Sequence, residues 1–161
     1  MDIFDEDLVN FWKSLSGNEV KYLMVGDMAT HIHGFKRFEG ILHIWIKDEI
    51  QNRKNLGSAM KIFGYEDLSW EEMQFIPGWT NFYISNGIVL DILISMKGLE
   101  GLSFDECHRF ATIAEIENVK IPFLHINHLI ANKKAVNRPK DQIDVIELEK
   151  IKILRKEMGL D

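Results

Sequence analysis

Residues 20–46, VKYLMVGDMATHIHGFKRFEGILHIWI, constrain the fold more than any other stretch. They read as strand, glycine turn, helix, loop and strand. Val20, Tyr22, Leu23, Met24 and Val25 are β-branched, aromatic or otherwise apolar, as a buried strand requires. Gly26 permits a sharp turn. Met28, Ala29, Ile32 and His33 then follow at helical spacing, and Gly34 suits the left-handed residue that closes a helix. Residues 37–40 form the loop and 41–46 a second apolar strand. A strand that passes through a glycine turn into a helix N-terminus commonly binds anions, because free backbone N–H groups point outward there.

The flanking segments fit an α/β chain. Leu8, Phe11, Trp12 and Leu15 share one face of a helix over 5–15. A helix is expected over 48–63, with Ile50, Leu56, Met60 and Ile62 facing inward, and a short strand over 72–76. Strands at 80–84 and 88–96 flank Asn86-Gly87, a strong hairpin dipeptide. Ser103 and Glu106 have capping-box spacing. Residues 111–116 and 119–121 flank Glu117-Asn118, as in a second hairpin or edge ladder. A helix follows over 127–136. Pro139 suits the first turn of a last helix ending near Gly159. That helix carries Ile143, Val145, Ile146, Leu148, Ile151, Ile153 and Leu154, a wide apolar face.

The expectation is one domain over 1–161, with a mixed β-sheet, flanking helices and a small C-terminal helical part. No apolar run approaches the roughly 20 residues needed to span a bilayer, and the N-terminus is acidic, so no export signal and no membrane partner are expected. The single cysteine, Cys107, fits a reducing cytoplasm. A formal net charge of −6 argues against broad nucleic-acid binding but leaves room for a local basic patch. His31 and His33 stand two apart and do not share a helix face. His125 and His128 straddle a helix start, where capping is the plain role. A buried, inert thiol is the plain role for Cys107. Trp70, Phe75, Trp79 and Phe82 suit a core better than a base-stacking platform.

The chain resembles the nucleotidyltransferase superfamily of the DNA polymerase β type, and within it the small prokaryotic minimal nucleotidyltransferases and their AbiEii-type toxin relatives. Val25, Gly26 and Ala29 match the glycine-turn motif. His33, Gly34 and Arg37 match the following His-Gly-x-x-Arg motif, and Ile44-Trp45-Ile46 matches the tail of the next strand. Leu90-Asp91-Ile92-Leu93 is similar to the strand bearing the third carboxylate. Residues 128–133 and 137–141 echo the C-terminal segment. The resemblance implies a nucleotidyltransferase fold and transfer of a nucleoside monophosphate, usually helped by two magnesium ions. It places Gly26, Asp27, Arg37 and Lys133 at the substrate and Asp91 as the surviving catalytic carboxylate.

The departures from that pattern bear on the chemistry. The two strand carboxylates of the family fall at Ile41 and His43, and the second small residue of the turn is Asp27. Ile41 has no ligand atom, and an imidazole is a poor magnesium ligand. Asp27 places a charge where a triphosphate would sit, a repulsion on the order of 4 kcal/mol at about 4 Å and an effective dielectric near 20. The expectation is a pseudoenzyme whose magnesium-dependent activity has gone and which binds a nucleotide, another ligand or a protein partner. The alternative is an active transferase acting on a protein, RNA or small molecule, as in a toxin–antitoxin pair. No cofactor follows from the residues: magnesium if the enzyme is active, or a transition metal if Asp27, His43 and Asp91 converge. The plainer reading of Arg37, Lys133, Arg138 and Lys140 is solvated charge or structural ion pairing.

Overall fold

The computed structural model describes residues 5–36 and 40–160. Asp5 caps the first helix, α1 (Glu6–Gly17), its carboxylate accepting from the N–H groups of Asp7 and Leu8. The central unit follows as β1 (Tyr22–Val25), α2 (Gly26–His33) and β2 (Ile41–Ile46). Then come α3 (Ile50–Met60), a short 3₁₀ turn, β3 (Asn81–Ser85), β4 (Ile88–Leu93), α4 (Phe104–Arg109), β5 (Thr112–Ile116), β6 (Val119–Phe123), α5 (Ile126–Val136) and α6 (Pro139–Glu157).

The strands form one six-stranded mixed sheet in the order β3-β4-β2-β1-β6-β5. β1 runs antiparallel to β2, and β2 parallel to β4. β1 is buried along its whole length. The two hairpins supply the sheet edges, and both turns lie where Asn86-Gly87 and Glu117-Asn118 place them; Glu117 and Asn118 both take left-handed φ. Ser103 caps α4, its hydroxyl accepting from the Glu106 N–H and donating to the Glu106 carboxylate; the reciprocal backbone bond of the expected capping box does not form.

The alternation of side chains gives this sheet two unlike faces. On one face Met24, Ile44, Leu42, Leu90 and Phe82 are buried. Trp12 of α1 closes over Met24, its indole N–H 3.4 Å from the Met24 sulfur. The other face is covered near β1, but on the β2-β4-β3 side it opens. There Ile41 is 49% exposed and Tyr83 68% exposed, with His43, Asp91 and Asn81 between them in register.

Three sequence expectations are corrected. Ile50 and Ile62 do not face inward: α3 begins only at Ile50, and both side chains lie in solvent. No strand forms over 72–76; Arg53 holds that segment as a loop, donating to the carbonyls of Trp70 and Met73 and lying over the Phe75 ring. The apolar face of α6 is divided: Leu148 is buried, and Val145 and Ile151 pack against the core. Asp141, Asp144 and Leu148 point into the protein, while Ile143, Ile146, Ile153 and Leu154 are each at least half exposed. No helix among the described residues is long and apolar enough to cross a membrane.

Candidate functional site

The open face of the sheet holds the residues singled out in the sequence. β2 and β4 run parallel with His43 beside Asp91, and the imidazole Nε2 lies 3.5 Å from Asp91 Oδ2. The same carboxylate oxygen accepts from the backbone N–H of Gly78 at 3.0 Å. Asp91 is 4% exposed, and its other oxygen, Oδ1, is buried with no hydrogen-bond partner. His43 Nδ1 is likewise buried and unpartnered. Two adjacent buried polar atoms left unpaired are costly, and native proteins keep few of them.

Gly26 explains why the imidazole fits. Its φ is +66°, and a Cβ there would come within 3.0 Å of His43 Nδ1. The bare glycine lets the ring lie against the β1–α2 turn. Burial outweighs the attraction of Asp91 and Asp27, so His43 titrates below an ordinary histidine and is neutral at pH 7.

Asp27 sits in the first turn of α2, where the helix dipole favours a negative group. Its carboxylate is bound by Lys140 Nζ at 2.7 Å, across 113 residues of sequence. The expected repulsion is therefore corrected: Lys140 offsets the charge of Asp27. The obstacle to an anion is instead that Asp27 already holds the nearby cation. The condition set for a transition metal, convergence of Asp27, His43 and Asp91, is not met. Asp27 turns to Lys140, and no group of three or more His, Cys, Asp or Glu side chains among the described residues is placed to hold a metal ion.

Lys133 is 4% exposed, with its ammonium 2.7 Å from Asp144 and 3.8 Å from Asp141, both buried. It has the structural ion pair that was the plainer of its two readings, and a phosphate could reach it only by breaking that pair. Arg138 binds Asp141 through Nε at 2.7 Å. Arg37 lies outside the described residues.

A magnesium pair needs several hard oxygen ligands. The open face offers an aliphatic side chain at 41, a neutral imidazole at 43 and one carboxylate at 91 whose oxygens are capped or buried. These residues do not fit two magnesium ions. A groove of about 760 Å³ lies on the α1 side of the sheet, beside Ser14 and Ile84. Among the described residues its charged lining is Asp7 and Lys13, a single pair of opposite sign that offers less chemistry than His43 and Asp91.

Three features were missed or left open by the sequence. Trp70, Phe75 and Phe82 are core, but Trp79 is 84% exposed, one residue from the Gly78 that caps Asp91. Asn52 is buried and ties α3 to both central strands, accepting from the Lys21 N–H and donating to the carbonyls of Lys21 and Lys47. His33 is buried between α6 and the end of β6. Arg155 can only donate, so His33 Nδ1 accepts from it at 3.3 Å, and Nε2–H donates to the Leu124 carbonyl at 2.8 Å. Burial pushes His33 down from 6.5 to about 4. The unfolded chain then takes up a proton that the folded chain refuses. Stability is expected to fall as pH drops from 6.5 to about 4, by on the order of 3 kcal/mol in total. Melting temperatures of the wild type and His33→Gln across that range check this: the variant's curve should be the flatter one.

No family model matches the sequence, and no curated protein matches it. Among solved structures, the chain is similar to a provisionally assigned nucleotidyltransferase from Thermotoga maritima. The TM-score is 0.54 at 17% identity, over 96% of this chain and 91% of that one. It is also similar to ANT(2")-Ia, solved in complex with adenylyl-2"-tobramycin. Here the TM-score is 0.54 at 13% identity, over 93% of each chain. The mixed sheet and its flanking helices are the nucleotidyltransferase fold.

Proposed function

We propose that this chain is a pseudoenzyme of the nucleotidyltransferase fold, one that binds a ligand or protein partner on the open sheet face without two-metal nucleotidyl transfer. One observation carries the reading. His43 stands beside Asp91 in register, Ile41 lies two residues along on the same face, and Asp91 itself is capped by the Gly78 N–H. The cleft thereby offers one carboxylate where a polyphosphate with its cations would need several. The unpaired Asp91 Oδ1 and His43 Nδ1 support a binding role, since each has a hydrogen bond left to make.

The alternative is an active nucleotidyltransferase modifying a protein, RNA or small acceptor, as in a toxin–antitoxin system of the AbiEii kind. Its support is the carboxylate kept on β4. The two readings separate on one assay. The protein is incubated with labelled ATP or GTP, magnesium or manganese, and cell extract. No label transfer is expected, and Asp91→Ala should behave as the wild type does. Transfer that vanishes in Asp91→Ala would establish the alternative. Arg37 and Gly26 remain proposed contacts for whatever enters the cleft.

A further inference from the structure

The solvent side of α6 carries a pattern that the fold does not use. The helix has 19 residues and is about 28 Å long. Its inner side is set by Asp141, Asp144 and Leu148, spaced three and four apart. Directly opposite run Ile143, Ile146, Lys150 and Ile153, spaced three, four and three, which is the seam spacing of paired helices. The three isoleucines are 50, 56 and 58% exposed, and Leu154 beside them is 56% exposed. Single exposed apolar residues are ordinary, but a row of them at seam spacing is not scattered at random.

We infer that this face docks a second copy of the chain, with the two α6 helices antiparallel. The charges choose both the occupant and its direction. Lys150 and Glu147 sit near the middle of the seam, 3.3 Å apart within one chain. A two-fold axis near residue 148 sets Ile143 of one copy against Ile153 of the other. It also brings each Lys150 level with Ile146 and Glu147 of the second copy. The lysine stem then packs on isoleucine while its ammonium lies between two carboxylates. A parallel pair would set Lys150 against Lys150 in one layer, so like charges disfavour it. A patch that is complementary to itself in this way is what a two-fold dimer requires.

Sedimentation velocity of the full chain over a wide concentration range tests this. A monomer–dimer equilibrium is expected. Ile146→Glu and Ile153→Glu, both on exposed positions and checked for an unchanged melting curve, should each weaken the dimer by about tenfold or more. Glu147→Lys and Lys150→Glu should each weaken it, and the double charge swap should restore it. A chain that stays monomeric at every concentration overturns the proposal and leaves the face to another partner. So does a dimer that tolerates both isoleucine substitutions. A dimer that both isoleucine changes weaken but the double swap does not restore refutes the antiparallel arrangement.

Discussion

Lys133→Met is expected to destabilise the protein by about 3–5 kcal/mol, because it takes a buried ammonium away from two buried carboxylates. Lys133 is 4% exposed, Asp144 0% and Asp141 1%. The ammonium lies 2.7 Å from Asp144 and 3.8 Å from Asp141, where α5 meets α6. At this chain length the loss corresponds to roughly 6–20 °C in melting temperature. The double variant Lys133→Met/Asp144→Leu should recover part of it, since an apolar pair of similar volume often replaces a buried ion pair without penalty. Asp141 keeps its bond to Arg138 in either variant. Chemical denaturation of the three proteins checks the ranking. Were Lys133 a ligand for phosphate and not a brace, the single variant would melt close to the wild type.

Lys133 also shows why part of the site could not be read from the chain. The strand–helix–strand unit was legible because a strand buried on both faces is a continuous apolar run, and because Gly26 and Gly34 mark the two ends of α2. The hairpins were legible from their turn residues. What failed was pairing at a distance. Nothing local joins Asp27 to Lys140 or Lys133 to Asp144; those ion pairs exist because α2, α5 and α6 pack together. For the same reason the wide apolar face of α6 did not say which of its residues the core would take. Hydrophobic periodicity locates a face, but it does not say whether this chain or another covers it. Here the first turns of the inner side are polar because Asp141 and Asp144 surround a buried lysine. The missing strand over 72–76 follows the same rule: Arg53, from a different element, takes the carbonyls that a strand would have paired.

The triple variant Asp27→Gly/Ile41→Asp/His43→Asp is expected to acquire a magnesium- and ATP-dependent rise in melting temperature that the wild type lacks. Positions 41 and 43 lie two apart on β2 and project to one face, and position 43 is opposite Asp91 in parallel register. Aspartates at both would surround one point with three carboxylates, the hard oxygen ligands that magnesium takes. Removing the imidazole also clears the space above Gly26, where a Cβ would now come within 3.0 Å of the ring. Removing Asp27 frees Lys140 and takes a negative charge out of the first turn of α2. In chelator the variant should be less stable than the wild type, because three carboxylates crowd without a cation. Saturating magnesium and ATP should reverse the order: ligand at a hundredfold its dissociation constant adds about 2.7 kcal/mol, or roughly 5–11 °C at this size. A melting curve in magnesium and ATP that matches the chelator curve would show that the open face no longer converges these positions. The loss of the metal site would then lie in the backbone as well as in the three side chains.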